Sequence, residues 1–135
     1  VLMKKLLDSG KDIEMQDSYG RTPLMISSLF NLVESTRFLI LNGANIETKD
    51  FDGATALVYA VRNVCIEVVE VLLINGANVE IVADNGFTLF DWISIGEKSE
   101  KMTRIVEMLK NHDVYKLKGK VESSMTKPTK NSGIF

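Results

Sequence analysis

Two phrases in the chain are nearly the same: ILNGANIE at residues 40–47 and LINGANVE at residues 73–80, 33 positions apart. Shifting the sequence by that length brings much more of it into register. Gly10, Gly43 and Gly76 align, as do Gly20, Gly53 and Gly86. Thr22, Thr55 and Thr88 align, and so do Glu14, Glu47 and Glu80, while Ile13, Ile46 and Val79 keep one apolar character. A period of this length marks a stacked array, in which each copy is one supersecondary unit that covers its neighbour's apolar flank. No other feature constrains the fold as much, because such a chain grows in one dimension and builds its core between copies.

The copy at 50–82 shows what the unit is. DFDG is a turn, since Asp-Gly supplies the positive φ that tight turns need. Thr55 stands before an apolar run, where its hydroxyl can cap a helix by accepting a backbone N–H. The pattern predicts one helix over Thr55–Val61, a link RNVC, and a second helix over Ile66–Ile74. Val68, Val69, Val71, Leu72 and Leu73 form the apolar face of the second helix, with Glu67 and Glu70 outward. Gly76 ends it, because a left-handed residue after a helix is cheapest as glycine. Isolated helices shorter than ~12–15 residues are marginal in water, so neither stands without the stack.

Turn, short helix, turn, longer helix and extended loop resemble the ankyrin repeat. The residues that carry the likeness are DSYGRTPL at 17–24 with FLILNGANI at 38–46, DFDGATAL at 50–57 with VLLINGANV at 71–79, and a weaker start, ADNGFTLF, at 83–90. The resemblance covers residues 1–113 and implies an all-α solenoid of helix-turn-helix units with β-turn or hairpin loops, about three and a half repeats long. Its divisions are a partial repeat at 1–16, full repeats at 17–49 and 50–82, and a terminal repeat at 83–113. The histidine of the family motif is replaced by Met25, Val58 and Asp91, so ties between neighbouring loops must come from elsewhere. Pro23 survives in one copy only. The terminal repeat carries an insertion near GEKSEK and lacks a closing glycine. Residues 1–14 resemble the second half of a repeat. Either further repeats precede Val1 or this end is weakly ordered.

Charge is unevenly placed. Residues 1–113 hold 11 Lys and Arg against 17 Asp and Glu, a net −6, whereas residues 114–135 hold five lysines against Glu122, a net +4. An acidic body disfavours a general nucleic-acid surface. No apolar run approaches the ~20 residues that span a bilayer. Cys65 is the single cysteine, which excludes an internal disulfide and suits a reducing, intracellular and cytoplasmic setting. His112 is the single histidine, so no histidine-based metal set exists, and no phosphate loop or nucleophile elbow is present. The expectation is a non-catalytic, monomeric module with no cofactor, no metal and no small-molecule substrate.

The resemblance implies a concave face made of turn tips and first helices, with contacts flanking the turn glycine and at the end of helix one. Carried over by position, the candidate partner-binding residues are Tyr19, Arg21, Leu29, Phe30, Phe51, Asp52, Arg62, Asn63, Asn85 and Phe87. Aromatics beside an arginine are common interface anchors. The partner expected is another protein. Two alternatives are a structural spacer within a larger repeat protein, and binding of an anionic partner by the tail.

Other residues have plainer readings. The ladder Glu14, Glu47, Glu80 fits a solvated edge, since a like-charge pair ~10 Å apart in water costs only about 0.4 kcal/mol, with a site for a basic peptide as the alternative. His112 suits the negative end of the last helix. Cys65 suits a small packed residue, Trp92 a core residue whose N–H needs one partner, and Asp91 a loop hydrogen-bonder. The segment 114–135 shows no repeat, and its composition predicts a flexible, solvated basic tail, with docking on the acidic body or binding of an anionic partner as alternatives and VYKLKGKV able to pass as a short strand.

Overall fold

The computed structural model describes residues 12–96 and 98–126, of which 122–126 as backbone only. It contains the helices α1 (Pro23–Leu29), α2 (Val33–Leu41), α3 (Ala56–Arg62), α4 (Ile66–Ile74), α5 (Leu89–Ile95), α6 (Glu100–Lys110) and α7 (His112–Thr126). Among the described residues there is no strand, only an antiparallel bridge between Val82 and Thr88. The fold is an all-α, ankyrin-like solenoid. The half-repeat expected at the start falls mostly on residues 1–11, outside the described ones.

Two layers run the length of the stack. The short helices α1, α3 and α5 pack on one another in order, and so do the longer α2, α4 and α6. Leu24, Leu39, Leu57, Leu72, Leu89, Ile105 and Leu109 are buried almost completely and belong to one continuous core. In the first two full repeats the paired helices also pack on each other. In the third, α5 packs on α3 and α6 on α4 more than on each other, with a longer link at 96–99 between them. The links of the earlier repeats are shorter and turn through left-handed residues, Asn31 at φ 53° and Val64 at φ 56°.

Several sequence expectations need correction. The first helix of the middle repeat begins at Ala56 and ends at Arg62, one residue later than the pattern predicts. Thr55 stands at its N-cap, but its hydroxyl makes no capping bond and lies buried without a partner. Thr22 and Thr88 do cap, accepting from the backbone N–H of Met25 and Asp91. The glutamate ladder is not merely a solvated edge. Glu14 accepts from the Asn45 N–H at 2.9 Å and the Thr48 hydroxyl at 2.7 Å. Glu47 accepts from the Asn78 N–H at 2.9 Å. Each carboxylate therefore ties its own repeat to the loop of the next, and among the described residues Glu80 makes no such bond.

The tail differs most. Residues 112–126 are helical, neither strand nor irregular, and α7 begins ahead of the 113/114 boundary drawn from composition. It folds back onto α4, where Lys118 Nζ lies 3.2 Å from Glu70 Oε1. Gly119 allows the close approach: a Cβ there would sit 1.9 Å from the Ile74 carbonyl oxygen. Val114, Leu117 and Val121 have helical spacing, but they face solvent, so the apolar pattern does not mark the docked face. His112 does not end the last helix but begins α7, its Nδ1 lying 3.0 Å from the Leu109 carbonyl oxygen at the end of α6.

Candidate partner-binding groove

The turn tips are built alike and joined edge to edge. Asp17 Oδ1 accepts from the Tyr19 and Arg21 N–H groups, both at 2.9 Å. Asp50 Oδ1 accepts from Asp52 at 2.9 Å and Ala54 at 2.8 Å. In the third repeat Ala83 takes that place and carries no carboxylate, while Asn85 Oδ1 accepts from the Phe87 N–H. Successive tips are linked by Phe51 N–H to the Tyr19 carbonyl at 3.2 Å, and by Asp84 N–H to the Asp52 carbonyl at 2.9 Å. These bonds hold the tips at fixed spacing over the short helices.

Between tips and helices lies a groove of about 620 Å³. Tyr19, Arg21, Leu29, Asp52, Arg62 and Asn85 line it, together with Asp50, Ala54, Tyr59, Ala83, Asp84 and Trp92. Of the remaining expected contact residues, Phe30, Phe51 and Asn63 are exposed outside this lining. Phe87 is half-buried, its ring meeting that of Trp92 edge-on with centroids 5.0 Å apart. Leu29 packs partly into the core. Tyr19 and Phe51 are 66% and 64% exposed, which places both rings on the outer rim.

The groove is polar where its helices reach it. Asp50 is buried and also accepts from the Tyr59 hydroxyl. Burial, then the bond to Asp50, pushes the Tyr59 phenol far above its ordinary range, so it stays protonated as a donor. Arg21 Nε donates to Asp17 Oδ2 at 2.7 Å. Desolvation alone would raise the Asp17 carboxyl, but the bonds from Arg21 and Tyr19 outweigh it and leave it below its usual value. The Arg21 guanidinium also lies 4.8 Å from the Tyr19 ring centroid. The Arg62 guanidinium lies over two rings, 5.2 Å from Tyr59 and 4.9 Å from Trp92.

Tyr59, part of an apolar run, is not singled out by its sequence, and Trp92, expected in the core, is only partly buried against it, with an indole N–H that finds no acceptor. A signal was present: Tyr59 and Trp92 are 33 residues apart and occupy the same position in successive repeats. Asp91 joins Thr88 in a capping box rather than a tie between loops. Cys65 is buried at the start of α4, and burial pushes its thiol up, away from the reactive thiolate.

Among the described residues, no three His, Cys, Asp or Glu side chains gather as metal ligands, and no helix is long and apolar enough to cross a membrane. No curated protein matches the chain. A family model described as ankyrin repeats in three copies matches residues 1–83. The recurring turn, helix pair and glycine stop thus coincide with a match over more than half of the residues: the chain belongs to the ankyrin repeat family.

Proposed function

We propose that the chain binds another protein through the groove between its turn tips and α1, α3 and α5. Ankyrin repeats are protein–protein interaction modules and are typically non-catalytic. The observation that carries the reading is the pairing of two exposed rim rings, Tyr19 and Phe51, with a groove in which an arginine lies over two more rings. Aromatic and arginine side chains in such places supply most of the binding energy of an interface. A spacer needs no such rim. The buried thiol suits a reducing, cytoplasmic setting.

The test is affinity capture from source-cell lysate, comparing the parent chain with a Tyr19/Phe51→Ala variant of equal thermal stability. Phe87 is left in place because its ring supports Trp92. A protein held by the parent and lost by the variant supports the groove. Equal capture by both removes the groove as the working face. The exposed Lys116 and Lys120 on α7 favour a second contact, to an anionic partner. That contact should weaken steeply with salt and vanish when both lysines are changed to glutamine.

A further inference from the structure

We propose that the groove recognises a single carboxylate side chain of its protein partner, paired with Arg62 and flanked in the partner by neutral or basic residues. This rests on the groove reading above and adds the chemistry of the ligand. Arg62 ends α3, and its guanidinium lies over the faces of Tyr59 and Trp92. Two rings hold the planar group in one orientation and leave its N–H edge for a ligand. The side chain is exposed and makes no ion pair among the described residues.

Three acids line the groove with it, Asp50, Asp52 and Asp84, and none forms an ion pair with Arg62 among the described residues. Asp50 accepts from the Tyr59 hydroxyl and from two backbone N–H groups. The Trp92 indole N–H is buried beneath this surface, so Arg62 is the exposed donor. A guanidinium can donate but not accept, so the missing component is an acceptor. A carboxylate offers two coplanar oxygens that match the guanidinium fork, and charge strengthens both bonds.

The rim limits what may surround that carboxylate. Asp52 and Asp84 are exposed on the tips and line the same groove. They oppose a run of negative charge and favour lysine or arginine on either side of the acid. A polyanion therefore fits poorly, whereas a loop with one acid between basic residues fits both floor and rim.

The experiment titrates the isotope-labelled full chain with acetyl-Lys-Glu-Lys-amide and, separately, acetyl-Lys-Gln-Lys-amide. The Arg62 Nε–H and Trp92 indole N–H resonances are followed, and Trp92 is the single tryptophan of the chain. The glutamate peptide should shift both saturably, and the glutamine peptide should bind about fivefold more weakly or worse. R62Q should abolish that preference while its other amide resonances stay in place. Equal affinity for the two peptides overturns the carboxylate assignment and leaves the groove standing. A preference that survives in R62Q overturns the role of Arg62. If neither peptide moves the groove resonances, the inference falls, and the capture experiment decides the groove reading by itself.

Discussion

The helix pair α3 and α4 and the pair α5 and α6 share one plan but differ in burial and in how their N-termini are held. In α3, six of the seven residues are buried, and α4 buries Val68, Val69, Val71, Leu72 and Leu73, yet neither helix has a side-chain bond at its N-cap; at their C-caps Asn63 and Asn75 donate to the Tyr59 and Val71 carbonyls. In α5, Leu89 alone is buried, and Phe90 and Ile95 are open to solvent. The terminal helices have side-chain N-caps instead. Thr88 and Asp91 form a capping box, and Ser99 accepts from the Met102 N–H. A buried leucine contributes about 2–5 kcal/mol and a cap about 1 kcal/mol. Met102, Ile105, Met108 and Leu109 of α6 are buried as well, so the two pairs differ mainly in α3 against α5 and in which N-termini carry a side-chain cap.

The largest expected effect tests burial. Leu72 is fully buried in α4, and Leu72→Ala should cost about 2–5 kcal/mol in urea denaturation. That is a large share of the ~5–15 kcal/mol that stabilises a typical domain. Phe90, 46% exposed on α5, should cost about 1 kcal/mol or less when changed to alanine, despite its greater size. Similar losses at both sites would break the contrast.

Next in size is a pair of turn glycines with nearly the same backbone. Gly53 has φ 85° and Gly86 has φ 83°. A Cβ on Gly86 meets nothing within 4 Å, whereas one on Gly53 falls 2.7 Å from Asp84 Oδ1 and 2.9 Å from Asp84 N. Gly86→Ala should therefore cost only the left-handed penalty, about 1–2 kcal/mol. Gly53→Ala should cost more, because Asp84 must move off its bond to the Asp52 carbonyl. Thermal melts of the two variants isolate the neighbour's share, and equal losses would mean the tips are not locked together.

The caps invert the ranking of the repeats. Thr88→Val removes a working cap and should cost about 1 kcal/mol. Thr55→Val, at the same register in the middle repeat, removes a buried hydroxyl that bonds to nothing. Its effect should lie between zero and a gain of about 1 kcal/mol, since the replacement keeps the shape and sheds an unmet polar group. A loss above about 1 kcal/mol at Thr55 would mean that the hydroxyl is satisfied in solution.

What was legible in the sequence follows from how far each signal reaches. The 33-residue register and the span Ile66–Ile74 are local patterns of apolar residues and glycine stops, and they appear in the structure as read. The cap at Thr55 was misjudged because its residue type allows a bond that its rotamer does not make. Glu14 and Glu47 were misjudged because their partners lie in the next repeat, 31 to 34 residues away. The helix in the tail was hard to read because α7 docks through Tyr115, Lys118 and Gly119 while Val114, Leu117 and Val121 stay exposed; the expected docking on the acidic body appears as Lys118 against Glu70. In the groove, Arg62 could be placed from its register at the end of a helix. The rings beneath it required comparing Tyr59 with Trp92 across two repeats.

The smallest effect settles the role of the glutamate ladder by its sign. If the ladder were only a row of like charges on a solvated edge, removing one would relieve roughly 0.4 kcal/mol of repulsion, and Glu47→Ala would stabilise, more so at low salt. The structure gives Glu47 a bond from the Asn78 N–H, so the same change should destabilise by about 0.5–1.5 kcal/mol and respond little to salt. Glu47→Gln keeps an acceptor oxygen and should recover part of that loss. Glu80 has no such partner among the described residues, and Glu80→Ala should stay within about 0.5 kcal/mol of the parent. Three denaturation curves at two salt concentrations resolve the signs. A stabilised Glu47→Ala would return the ladder to an edge without contacts, whereas a loss at Glu47 with none at Glu80 would show that the carboxylates tie repeat to repeat wherever a following loop is there to receive them.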